Sequence, residues 1–304
     1  MQRSRNAWDL SCKPLMSGID LHIHSTASDG TLSPDAIVQL ALQKKLSAIA
    51  ITDHDTVGGI QQLHQQGIPS GIEFINGVEI SIEAPGSFQV EGSLHLLGYG
   101  IDPFNAPLNH ALTWLQESRE NRIPQMITKL NRIGIPVTME QVVRENSVAG
   151  RPHIATVLLE MGIVKNFDEA FSRYLGKGQP AYAERLRLSA REAIRLIQDA
   201  GGIAVLAHPG IYFRLDNISR KKLLVQLKKM GLKGIEVYYP THSSAVTREL
   251  KTAAEMLELV TTGGTDFHGA IRPGRELGSG DGAFHVPEGI MPMFLRAIRA
   301  ARRP

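Results

Sequence analysis

Seven short apolar runs punctuate the chain at residues 19–24, 48–52, 74–80, 94–99, 203–207, 234–238 and 259–264, each of strand length and bounded by turn-forming residues. Several are separated by patterns of helical period. Residues 32–45 open with Ser33 as N-cap and Pro34 at the first helical position, and Ser189 and Glu192 form a capping box for a stretch that closes on Gly201 and Gly202. Strands that alternate with helices build a parallel sheet, because a crossover helix returns the chain to start the next strand in the same direction. The pattern leaves open whether that sheet is open or closed into a barrel.

The residues at the ends of these runs are more informative than the runs themselves. His22 and His24 stand two residues apart at the end of the first, so in a strand both imidazoles project from one face, and Asp29 comes five residues after His24. The second run ends in Asp53, His54 and Asp55, the third carries Glu79, the fifth ends in His208 and the seventh in Asp266 and His268. Barrel strands converge at their C-terminal ends, so five strand ends deliver metal-type side chains to one place. Glu79 and His95 are too close in sequence for a crossover helix, and "VEISIEAPGSFQVEGSLHLLGYG" reads as a hairpin. Symmetry about Ser87 sets Glu79 opposite His95 and brings His95 to the same site.

A single histidine on an apolar face is most often a hydrogen-bonded core residue, and His64, His110, His242 and His285 are read that way. Glu79 and Asp266 are different, since a carboxylate inside an apolar strand is costly without a partner. One bound cation accounts for both carboxylates and their histidines. The only cysteine is Cys12, which excludes an intrachain disulfide and a thiolate-rich metal site and suits a reducing cytoplasm. Imidazole with carboxylate fits zinc, manganese or iron. The chain has no apolar run long enough to cross a membrane, and residues 1–16 read as a loose extension without the apolar region of a signal peptide, with Met16 an alternative start. The net charge is only +3, although six arginines, Arg272 and Arg275 among them, fall in the last 33 residues. That bias suits an anionic ligand or simply a solvated face.

Between residues 102 and 185 the alternation stops and helical patterns take over: a long amphipathic stretch at 107–133, a capping box at 138–141, "RPHIATVLLEMG" and "NFDEAFSRYLG". This segment reads as an all-helical cap inserted into a discontinuous α/β domain of residues 17–101 and 186–304.

The ordered set "DLHIHSTASDG", "ITDHDT", "GVEIS", "HLLGYG", "AHPG" and "GGTDFHG" resembles the PHP (polymerase and histidinol phosphatase) family. The resemblance implies a distorted seven-stranded β/α barrel with two or three divalent ions at its strand ends, most often manganese, with iron or zinc as alternatives. It implies one ion at His22, His24, Glu79 and Asp266, a second at Glu79, His95 and His208, and a third at Asp29, His54 and His268. Glu79 would bridge, and with His208 and Asp266 would carry the catalytic role. Such sites hydrolyse phosphoesters by attack of a metal-bridging hydroxide.

The insertion resembles the branch that holds 3′,5′-nucleoside bisphosphate phosphatases and 5′-to-3′ exoribonucleases. The implied reaction is removal of the 3′-phosphate from a nucleoside 3′,5′-bisphosphate, with trimming of short single-stranded 5′-phosphorylated RNA also open. The implied partners are small nucleotides or RNA ends, with no membrane and no obligate protein partner. "VAGRPHIA" puts Arg151 at or next to an N-cap, Pro152 at the first and His153 at the second helical position, an arrangement suited to an anion. Arg119 and Arg122 share a helical face, Lys177 sits on a glycine loop, and Tyr238 lies where it could meet sugar or base. The alternatives are a histidinol-phosphate type monoesterase, a metal-dependent amidohydrolase, and a non-catalytic metal-stabilised binding module. No strand here ends in the lysine that amidohydrolases commonly carbamylate, and degenerate binding modules lose ligands that this chain retains.

Overall fold

The computed structural model describes residues 18–86, 88, 94–143, 150–184, 186–212 and 216–302. The expected extension at 1–16 and the hairpin centre at Ser87 lie outside these residues. All seven expected strands form: β1 (Ile19–Ile23), β2 (Ala48–Ile51), β3 (Glu73–Glu83), β4 (Leu94–Tyr99), then, after a two-residue β5 (Leu188–Ser189) beside β3, β6 (Ile203–Leu206), β7 (Gly234–Tyr238) and β8 (Val260–Gly263). They run in the order β1-β2-β3-β4-β6-β7-β8. The sheet is nearly closed, since His24 N–H donates to Phe267 O at 2.8 Å and Phe267 N–H to His22 O at 3.3 Å, joining the end of β1 to the segment after β8.

The strands are parallel except β4, which is antiparallel to both β3 and β6. That single reversal distorts the barrel, and it is a consequence of the short β3–β4 connection. The hairpin register differs from expectation: Glu79 faces Leu97, and His95 faces Ser81. Moving the centre of symmetry by one residue shifts pairing by two, and a two-residue shift keeps every side chain on its face. His95 therefore still reaches the intended side.

Helices coat the barrel. Ser33 caps α1 (Pro34–Gln43) by accepting from Ala36 N–H, and the Ser189 and Glu192 capping box starts α7 (Ala190–Asp199). The segment between β4 and β5 holds α3 (Ala106–Arg132), α4 (Met139–Val142), α5 (Arg151–Glu160) and α6 (Phe167–Ala170), which runs into a wider π turn at Phe171–Leu175. Met126, Leu130, Ile154, Leu158 and Leu175 belong to an apolar cluster drawn wholly from this segment. Its packing is thus largely independent of the clusters that fill the barrel and line its helices. The remaining helices are α2 (Gly58–Gln66), α8 (Asn217–Met230), α9 (Ser244–Met256) and α10 (Met291–Ala301). No helix among the described residues is long and apolar enough to cross a membrane.

Candidate metal centre

The nine expected ligand residues converge at one end of the barrel, where the C-terminal ends of the parallel strands meet the N-terminal end of antiparallel β4. Nε2 of His22 and Nε2 of His24 lie 3.2 Å apart, and Oε2 of Glu79 is 3.2 Å from each. Oδ1 of Asp266 is 3.2 Å from the His24 nitrogen and 3.6 Å from that of His22. Ligands about 2.1 Å from a tetrahedral ion stand about 3.4 Å from one another, so the His22, His24 and Asp266 atoms have the spacing of one coordination shell, and Glu79 stands beside both histidines. Glu79 turns its other oxygen elsewhere: Oε1 lies 2.8 Å from His95 Nδ1 and 3.0 Å from His208 Nε2. One carboxylate thus faces two donor groups.

Asp29 anchors a third group. Its carboxylate is 3.4 Å from His268 Nε2, 3.5 Å from His24 Nδ1 and 3.8 Å from His54 Nε2. Two residues sit between groups: His24 offers one nitrogen to the Asp266 group and the other to Asp29, while His54 Nδ1 lies 3.1 Å from Glu79. His22, His24, Glu79, His208, Asp266 and His268 are buried, and His54, His95 and Asp29 are partly exposed. Burial works against the charge on Glu79, but His54, His95 and His22 outweigh it and hold its carboxyl well below the usual range. For Asp266 the same contest is won by His22 and His24.

Divalent ions fit this donor set. Among the described residues, Nδ1 of His24 and Nε2 of His268, the two nitrogens nearest Asp29, are buried without a hydrogen-bond partner, which is costly unless another ligand occupies them. The donors are nitrogen and oxygen only. Backbone strain gathers here as well: His208 and Asp266 have φ of 28° and 55°, and Asp55 beside His54 has 54°, left-handed conformations that non-glycine residues rarely adopt.

A PHP domain matches at residues 20–119. The chain is 33% identical over 266 residues to a 3′,5′-nucleoside bisphosphate phosphatase of Chromobacterium violaceum, covering 86% of this chain and 91% of that one. It is 34% identical over 274 residues to a 5′-3′ exoribonuclease of Haemophilus influenzae, covering 88% and 97%. The chain belongs to the PHP family. A Chromobacterium violaceum structure described as an amidohydrolase with bound sulfate and no metal superposes with a TM-score of 0.69 at 31% identity, covering 94% of this chain and 97% of that one. As a PHP protein with these relatives, this chain is a phosphoric ester hydrolase.

Around the PHP centre stands a ring of supporting carboxylates, of which the sequence singled out only Asp53, and that among the strand-end donors. Glu236, fully buried on β7, accepts from His208 N–H at 2.7 Å and pairs with His22 Nδ1 at 2.9 Å, so one carboxylate orients groups from two strands. Asp20 accepts from Thr265 N–H, Thr265 Oγ1 and Gly278 N–H, tying β1 to the loop after β8. Asp53 holds Ser25 and Ser28 on the loop that carries Asp29. Glu236 carried a usable signal, since it is a carboxylate in an apolar strand just as Glu79 is.

The expected substrate residues are scattered. Arg119 on α3 reaches within 3.8 Å of Asp29, at the centre's edge. Arg122 donates to Ala183 O at 3.0 Å and lies over the Tyr182 ring, bracing the helical segment. The helix expected to start at Pro152 starts one residue earlier, so His153 is its third residue, and its Nδ1 accepts from Gly150 N–H at 3.0 Å. That nitrogen caps the helix. Arg151 lies over the Phe171 ring, 5.4 Å from its centre, and Lys177 is exposed. Tyr238 packs against two apolar clusters, whereas Tyr239 Oη donates to Asp266 Oδ2 at 2.8 Å. His242, half-buried, pairs with Val237 O and Gly210 N–H, the structural role expected of it, whereas His64 pairs with Asn76 at 2.9 Å but is exposed and not the core residue expected.

Proposed function

We propose that this PHP hydrolase removes the 3′-phosphate from nucleoside 3′,5′-bisphosphates and also trims short 5′-phosphorylated single-stranded RNA from its 5′ end. The observation that carries this reading is a pocket of about 260 Å³ beside the metal centre, lined by Ala27, Ser28 and His54 from the barrel loops and by Gln116, Arg119, Glu120, Ile123 and Met139 from the helical segment. A phosphate held at the centre has room on that side for a ribose and base against Ile123 and Met139. Arg119 sets a cation at the same opening, and Arg151 is the further candidate for the second phosphate. The names of the two curated relatives support the same substrate class.

In this reading residues 102–185 act as a cap over a barrel of residues 17–101 and 186–304. His22, His24, Glu79 and Asp266 would hold one ion, Glu79, His95 and His208 a second, and Asp29, His54 and His268 a third. Manganese is the proposed ion, consistent with a donor set lacking sulfur. Bound divalent ions supply water activation and neutralise phosphoryl charge. The protein's part is to fix the donors on buried strand ends, to keep Glu79 and Asp266 ionised, and to wall the leaving nucleoside with apolar side chains.

The test is a turnover panel with added manganese, comparing a nucleoside 3′,5′-bisphosphate, a 5′-monophosphate, histidinol phosphate and short 5′-phosphorylated RNA. The bisphosphate should give the highest kcat/KM. Preference for histidinol phosphate would replace this reading with the monoesterase one, which needs no second phosphate site.

A further inference from the structure

Asp266 presents two different faces. Oδ1 looks toward His22 and His24, and Oδ2 accepts from three donors: Tyr239 Oη at 2.8 Å, Arg275 at 3.1 Å and Arg272. One carboxylate therefore stands between the donor groups and two guanidinium groups, leaving positive charge in excess on that side.

The two arginines are held very differently. Arg275 also donates to Tyr239 Oη at 3.0 Å and to Thr265 O at 3.3 Å, and it lies over the Tyr239 ring, 5.0 Å from its centre. Its side chain is 19% exposed. Arg272, among the described residues, has Asp266 Oδ2 as its single side-chain hydrogen-bond partner, and its side chain is 40% exposed. It comes four residues after His268, past a tight turn at Gly269–Ile271, so it rides on the loop that carries both Asp266 and His268. Burial works against its charge, and Asp266, with a contribution from Asp29, outweighs it. Arg272 thus lies in the fields of two carboxylates from different donor groups, at the edge of the centre, with most of its donors uncommitted. A guanidinium has five N–H donors, and a phosphoryl group offers the paired oxygens that match its fork.

We propose that Arg272 binds the scissile phosphoryl group beside the metal centre, a substrate-contacting role, while Arg275 and Tyr239 position Asp266. This rests on the phosphoester chemistry of the family and not on the bisphosphate assignment, because the phosphoryl group concerned is common to every substrate in the panel. Loss of Arg272 acts on all of those substrates alike, whereas loss of a residue reading the second phosphate acts on the bisphosphate alone.

The test uses full-length protein loaded with manganese, and inorganic phosphate as the probe. Arg272→Ala should weaken inhibition by inorganic phosphate about tenfold or more and lower kcat/KM about ten- to a hundredfold on bisphosphate and monophosphate equally, with bound manganese unchanged. Added guanidinium ion should restore part of the lost rate, which a merely structural role would not allow. Arg272→Lys, which keeps the charge and loses the fork, should fall between, and it serves as the readout if the alanine variant does not fold. Arg275→Ala should show the opposite pattern, losing manganese before phosphate affinity. Unchanged phosphate inhibition in the Arg272 variants, or manganese lost in proportion to activity, overturns the proposal.

Discussion

The strand-end centre and the helical segment after β4 were read from the same kinds of residue, yet they behave differently. Nine donors from seven places along the barrel come together with neighbouring atoms 2.8 to 3.8 Å apart. In the helical segment Arg122, Arg151 and His153 are each engaged locally, by a carbonyl and a ring, a ring, and a helix start. A side chain at a barrel strand end has its direction set by the pleat and its neighbours set by closure. A long side chain on a helix surface has several rotatable bonds and takes whichever partner packing supplies. Motifs on strand ends therefore foretell which side chains meet better than basic residues on helices do.

The sharpest way to break the contrast is to remove Glu79, whose carboxylate lies between donor groups. Glu79→Gln should cost several orders of magnitude in kcat and deplete bound manganese, both measurable on one preparation, since Glu79 lies beside His22, His54 and His95 from three donor groups. A variant that keeps its metal and its rate would place the centre elsewhere. Exhaustive chelation should likewise abolish turnover and added manganese should restore it; undiminished turnover would point to a side-chain nucleophile.

A core truncation probes whether the two regions are separable. Leu158→Ala, fully buried within the helical cluster, should destabilise by about 2 to 5 kcal/mol. Amide exchange should quicken in the helical segment while the barrel strands stay protected. Equal loosening of both would show that they fold as one unit.

The next effects are smaller and depend on substrate. Arg119→Ala and Arg151→Ala should each lower kcat/KM on a 3′,5′-bisphosphate, by about ten- to a hundredfold for the residue that meets the second phosphate, and change a substrate with only the scissile phosphate little. Equal losses on both substrates would assign that arginine to the centre or to the fold.

The last effect concerns protons. Burial works against charging His24, but Asp266 and Glu79 raise its pKa to about 9 in the metal-free protein. A protonated imidazole cannot ligate, so manganese affinity, measured by titration calorimetry, should climb between pH 7 and 9 and then level. Flat affinity over that range would mean that His24 is already neutral.

Length, alternation and caps were enough to place the seven strands and most helix starts, because those depend on residues a few positions apart. His22 beside His24 was equally legible, since period two holds in any strand. The hairpin register was not, because it depends on a bend whose conformation the flanking pattern leaves free, and only parity survived. Nor did spacing alone group the nine donors: His24 and His54 each lie between groups, which becomes visible only once β1, β2 and β8 are side by side. Glu236 and Asp20 were passed over although buried carboxylates in apolar strands carry the signal that singled out Glu79. What the sequence by itself determined is the inventory of donors and the strand ends that bear them. The tertiary structure alone decided which oxygen of Asp266 faces the histidines and which faces Arg272 and Arg275, because that choice is made by contacts from β1, the β7 end and the last loop, remote in sequence and joined only when the barrel closes.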